Sequence, residues 1–294
     1  MTSDQLSALQ LPHGGFESIV TSRRGRVVDC NGFTAAIVLR LTRHLPHDAA
    51  MTTVRQRALS FVMTCASTVV PEAFAFWPDA ARPAWALSVP ADVDDTAIMV
   101  AELLRHGWLD SAEAMRRVCR AMLPHRVTDR EAATLPPWVV PGCFYTWIVP
   151  ATADSARVPA VNIVDCCVNA NVAALLSVIG AQHLPGYTAA IQTVVNAVGW
   201  AGDNRRRLSA VTPFYPSVGN LVDAVEHAVE CGAHALCDVL DRLRALDFGA
   251  SSHDVGCCSS AYGSTVWHCE AVDTARALAR AAGRRSYGTS RAVH

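Results

Sequence analysis

Charge is scarce in this chain. Asp, Glu, Lys and Arg make up 17% of its 294 residues and nearly cancel, leaving a formal net charge of −1. A protein that grips nucleic acid by neutralising phosphates needs a basic excess, so that class is excluded. Long apolar runs are also missing, and none approaches the roughly 20 residues of a membrane-spanning helix. No Walker loop, dinucleotide-binding glycine pattern or Gly-x-Ser-x-Gly elbow appears, which removes several common nucleotide and hydrolase chemistries. A clean sequence repeat and a convincing strand ladder are likewise absent. The polar opening Met1-Thr2-Ser3-Asp4-Gln5 has no signal-peptide core, and the expectation is a cytoplasmic protein without a stable membrane span. In a reducing compartment the eleven cysteines are then thiols, most of them buried as small apolar residues.

Apolar surface, by contrast, is abundant: 51% of residues are hydrophobic, enough at 31.5 kDa to bury one large core. Period-3.6 apolar patterns predict a succession of helix pairs with short turns. They fall at about Asn31–Leu45, Ala49–Val70, Asp94–His106, Asp110–Leu123, Asn162–Gly180, Tyr187–Trp200, Ser217–Cys231, Ala233–Leu246 and Val266–Ala282. Residues 1–26 read as an irregular N-terminal segment with Arg23-Arg24-Gly25-Arg26 as a solvated run. Residues 27–283 read as one all-α domain, and 284–294 as a disordered tail. The middle, Pro136-Pro137-Trp138 through Phe144-Tyr145-Thr146-Trp147, is aromatic and proline-punctuated, a crossing segment without helical period.

The densest chemistry lies in Asp92-Val93-Asp94-Asp95-Thr96-Ala97, at the start of a predicted helix. Three carboxyls within four positions cannot all ionise cheaply, so at least one should hold its proton to high pH. The positive end of the helix dipole favours an anion there, so neighbouring acids are driven toward different roles. Asp95, nearest the helix amides, is expected to stay ionised and to hold Asp94. The plainer alternative is a helix cap by Asp92 or Asp94.

Asp-Val-Asp-Asp-Thr-Ala resembles the DxDDTA motif of class II terpene cyclases, the squalene–hopene cyclase and bacterial diterpene cyclase group. The resemblance implies α/α toroid architecture, which at this length is a single α/α toroid, and proton-initiated cyclisation or isomerisation of an isoprenoid or other alkene. The middle acid of the motif, here Asp94, would be the general acid, with Asp92 and Asp95 setting its acidity. No cofactor is implied. Trp77, Trp85, Trp138, Tyr145 and Trp147 are candidates to face the carbocation. The QW-type repeat of squalene cyclases is not recognisable. Those families build their site between two toroids, whereas this chain has length for one; a homodimer or partner chain covering the site is one solution.

A second polar cluster, Asp165, Asn169 and Asn171, interrupts an apolar helix pattern and is expected to face the cavity or the helix carrying Asp94. Val164-Asp165-Cys166-Cys167-Val168 also resembles the Val-Asp-x-Cys-Tyr segment of protein prenyltransferase β subunits, with Val168 in place of Tyr. That likeness implies an alternative zinc site at Asp165, Cys167 and His268. Lesser candidates are Cys257 and Cys258 near His253 and Asp254, the set Glu226, His227 and His234, and Arg205-Arg206-Arg207 as a diphosphate grip. Alternatives to the cyclase are a cofactor-free lyase or hydratase, the zinc transferase, and a non-catalytic toroid that binds a lipid or a partner.

Overall fold

The computed structural model describes residues 3–86, 89–149, 162–246 and 256–289. A short helix α1 (Ser3–Ala8) precedes a hairpin of β1 (Glu17–Ser22) and β2 (Gly25–Cys30). Helices α2 (Gly32–Thr42), α3 (Ala49–Met63), α4 (Val93–Arg105), α5 (Ser111–Arg117) and α6 (Asp129–Ala132) follow. After the middle segment come α7 (Cys166–Val178), α8 (Tyr187–Ala201), α9 (Arg205–Ala210), α10 (Val218–Glu230) and α11 (Cys237–Ala245). The chain closes with β3 (Cys258–Ser259), β4 (Thr265–His268) and α12 (Glu270–Thr289).

Side-chain caps fix most helix starts, satisfying amides that the first turn leaves without partners. Asn31 caps α2, Asp48 caps α3, Asp92 caps α4 and Asp165 caps α7. Ser217 and Asn220 form a capping box at α10. Gly186 starts α8 at φ +102°, where a Cβ would lie 2.7 Å from the Phe144 ring, so both the backbone and the space demand glycine.

Helix α12 packs on α2, α2 on α4, α4 on α7 and α7 on α10. Arg276 of α12 reaches Asp223 of α10 at 3.1 Å. Helix α3 also packs on α2, α8 on α7 and α11 on α10. Nearly every residue of α2, α4 and α7 is buried, as befits helices packed on all sides. The middle segment crosses the start of α4, where the amide of Val93 donates to Thr146 O and that of Ile148 to Ala91 O.

The molecule is helix-rich but not all-α. The strands form one antiparallel sheet in the order β2-β1-β4-β3, with Val20 opposite Trp267 and Trp267 opposite Cys258. Within the N-terminal segment, residues 3–8 and 17–22 form α1 and β1, and Arg23-Arg24 is a hairpin turn rather than a free basic run. The strands have six, six, two and four residues, and β1 pairs with β4 from the opposite end of the chain. Pieces this short give no periodic signal until their partners are known. Helix α3 ends at Met63, not Val70, and residues expected to open the last helix belong to β4. The boundary expected at 283/284 falls inside α12. All eleven cysteines are unpaired, and no helix among the described residues is long and apolar enough to cross a membrane.

Candidate active site

The N-terminal turns of α2 and α4 meet the middle segment, the loop before α10 and the sheet around a cavity of about 340 Å³. Its wall is aromatic: Phe33, Phe76, Trp77, Trp147, Phe214, Tyr215 and Trp267 all line it, together with the buried Asp92, Asp94 and Asp95. Rings follow one another from Tyr215 to Phe33 (centroids 6.1 Å), to Phe76 (5.8 Å), and on to Trp77 and Trp267 (4.5 and 5.5 Å). Trp147 and Phe214 meet edge-on at 5.1 Å.

Asp94 is 8% exposed and is held from both sides. Asn171 Nδ2 donates to Oδ1 at 2.7 Å, and the Tyr215 hydroxyl donates to Oδ2. Arg40 Nη1 in turn donates to Asn171 Oδ1 at 2.8 Å, so the amide is oriented by a buried guanidinium. Burial pushes the Asp94 carboxyl above its usual range, while Tyr215, Asn171 and the more distant Arg40 charge pull the other way. Each carboxyl oxygen has a second lone-pair position, so these bonds leave room for a proton.

Its neighbours behave differently from expectation. Asp92 caps α4, its Oδ1 accepting from the Asp95 amide at 2.6 Å. Asp95 is 1% exposed, and neither of its oxygens meets a hydrogen-bond donor. An ionised carboxylate would be costly there. A protonated Asp95 donating to Asp92 resolves the conflict, and burial together with the Asp92 charge holds its proton on to high pH. Burial and the Asp94 charge raise Asp92 as well. Asp95 is thus the neutral partner of this pair, not the ionised one, and Asn171 with Tyr215 performs the holding expected of it.

The cluster on α7 divides. Asn171 reaches Asp94. Asn169 is a strap: its Oδ1 accepts from the Phe144 amide and its Nδ2 donates to Phe144 O and Asp165 O. Asp165 spends Oδ1 on the amides of Cys167 and Val168 and Oδ2 on that of Phe214, which anchors the segment delivering Phe214 and Tyr215. Asp165 and Asn169 do not line the cavity. Burial holds the Cys167 thiol protonated well above its usual range. Among the described residues no three His, Cys, Asp or Glu side chains are placed to hold a metal ion.

Of the expected aromatic residues, Trp77 and Trp147 face the cavity. Trp85 is half exposed and packs on Trp77 and Trp267 from outside. Trp138 sits in the core and Tyr145 against it, both off the cavity. Phe33, Phe76, Phe214, Tyr215 and Trp267 join the wall without being anticipated from the sequence, because they come from four separate stretches of the chain; Phe76 beside Trp77 and the Pro213-Phe214-Tyr215-Pro216 run are the local signals. Cys258 lines the cavity beside them, whereas His253 and Asp254 lie outside the described residues. His227 is buried, His234 is exposed and Glu226 pairs with Arg244, so these three form no common site. Arg205, Arg206 and Arg207 are exposed on α9, with Arg207 stacked on Trp200 at 5.0 Å.

No protein-family model matches the chain, and no curated protein does. The fold resembles that of a solved protein from Actinoplanes, at 19% identity and a TM-score of 0.50. The likeness covers 86% of this chain and 66% of that one, so this chain spans just under two thirds of the solved protein's length.

Proposed function

We propose that the chain is a terpene cyclase-like enzyme in which Asp94 protonates an alkene to begin cyclisation or isomerisation of an isoprenoid or similar apolar substrate. The observation that carries this reading is a buried, hydrogen-bonded acid lining an aromatic cavity. Burial keeps the proton on Asp94 until substrate arrives. The alkene π pair then takes that proton to form a C–H bond, leaving a cation on the neighbouring carbon. The charge left on Asp94 is received by the two hydrogen bonds already aimed at it, from Asn171 and Tyr215, which need no reorganisation. Facing rings stabilise the cation by roughly 2 kcal/mol or more each when water is absent. A further π bond closes a ring, and the final cation loses a proton or captures a water molecule. No metal or redox group takes part in this sequence.

The packing order α12-α2-α4-α7-α10, with Arg276 bridging α12 to α10, supports a single α/α toroid whose inner helices these are. The acids and the aromatic wall then occupy one mouth of it, with the small sheet and the middle segment as covers.

The test is conversion of linear prenyl alcohols and diphosphates, followed by gas chromatography and mass spectrometry, for wild type and Asp94→Asn. The variant should melt near wild type and lose turnover by about 10⁴-fold, the upper end of a general-acid contribution. Normal turnover in Asp94→Asn would end the acid mechanism.

A further inference from the structure

Behind the aromatic wall lies a carboxylate that the chemistry above does not use. Asp29, at the end of β2, is 6% exposed. Its Oδ1 accepts from Trp77 Nε1 at 2.8 Å, and its Oδ2 from Trp267 Nε1 and Asn31 Nδ2, both at 2.9 Å. An indole N–H needs only one acceptor, and a carbonyl or hydroxyl would satisfy it without burying a charge. Among the described residues, no cationic side chain forms an ion pair with Asp29. The wall therefore has behind it a carboxylate with no ion-pair partner among the described residues, bonded to two tryptophans that line the cavity.

We propose that Asp29 is a positioning residue that fixes Trp77 and Trp267 against the cavity and biases this wall toward a ligand with a positive centre on an apolar chain. Two effects act together. The charge-assisted bonds hold both indoles in one orientation, with Phe76 edge-on to each at 4.5 and 5.5 Å. A donor bonded to a carboxylate is polarised by it, so electron density moves into the ring and its face becomes more attractive to a cation. Tryptophan is already the best of the aromatic side chains for that purpose. The carboxyls at the start of α4 line the same cavity, but the indole N–H groups are bonded to Asp29, so its effect can be separated from theirs.

This inference rests on the cyclase reading only in identifying a carbocation as the natural positive centre; the binding preference itself needs no turnover. The probes are hexyltrimethylammonium and its uncharged isostere 2,2-dimethyloctane, titrated against the full chain by tryptophan fluorescence and calorimetry. Asp29→Asn should weaken the ammonium by about tenfold, a part of the full cation–π contribution of desolvated rings that the variant retains, and leave the alkane within about twofold. Alkane binding also reports that the cavity is intact. If Asp29→Asn does not fold, Trp267→Phe keeps the six-membered ring and removes one N–H, and should weaken the ammonium selectively by several-fold. Equal weakening of both probes would make Asp29 a scaffold residue only. Failure of the wild type to bind the ammonium, or unchanged ammonium binding in the variants, would also overturn the proposal. None of these outcomes depends on Asp94, whose role is judged by turnover.

Discussion

At the scale of single residues, acidity at the cavity is set by which carboxyl has donors, more than by how many carboxyls are near. Asp95 has none and keeps its proton; Asp94 has two and gains a stabilised conjugate base when the proton leaves. Tyr215→Phe removes one of them while preserving the ring that packs on Phe33. A hydrogen bond to a charged group contributes about 1.5–3 kcal/mol. The expected result is a turnover loss of about 10- to 100-fold, with the melting temperature little changed. Because the donor stabilises only the ionised form, the limb of the pH–rate profile that loses activity as Asp94 deprotonates should also move to higher pH. A parallel loss of stability with no change in the profile would reduce Tyr215 to a packing residue.

At the scale of elements, α7 shows how one helix serves scaffold and chemistry at once. Its first turn is used for capping by Asp165, its second for the Asn169 strap to Phe144, and Asn171 for orienting Asp94. Asn169→Ala leaves the amide and carbonyl of a fully buried Phe144 without their side-chain partner. Each orphaned buried group costs about 1–3 kcal/mol, so denaturant unfolding should show a loss of a few kcal/mol. Asn171→Ala should do the reverse, with the larger effect on turnover. Side-by-side unfolding curves and rates for the two variants check this division, which fails if their rankings coincide.

Taken whole, the molecule places several carboxyls in a poorly hydrated interior. Burial raises Asp95, and Asp165 is pushed up to about 7 by the same cause. Each binds a proton in the folded state that the unfolded chain, with ordinary carboxyls near 4, has already released. Stability contributed in this way is present below about pH 4 and is lost as pH rises through the folded values. Melting temperature should therefore fall between about pH 4 and pH 7, the window of Asp165, with Asp95 extending the fall upward. Asp95→Asn supplies a neutral side chain of the same shape, so its profile should be flatter and its stability at pH 8 higher than wild type. A wild-type curve rising steadily from pH 4 to 7 would contradict this account.

What the sequence determined by itself is local. The apolar period announced the long helices, Asp92 announced the start of α4, and the spacing of Asp92, Asp94 and Asp95 announced an electrostatic conflict. These follow from interactions within one or two turns of helix, which neighbouring residues fix. Which carboxyl keeps its proton was decided only by the tertiary structure, because Asn171 and Tyr215 lie 77 and 121 residues from Asp94 along the chain, and Arg40 lies 131 from Asn171. The sheet, too, exists only when β1 meets β4, and the aromatic wall only when Phe33, Phe76, Phe214 and Trp267 converge. Burial and long-range donors control a buried charge, and neither can be read from its neighbours in the chain.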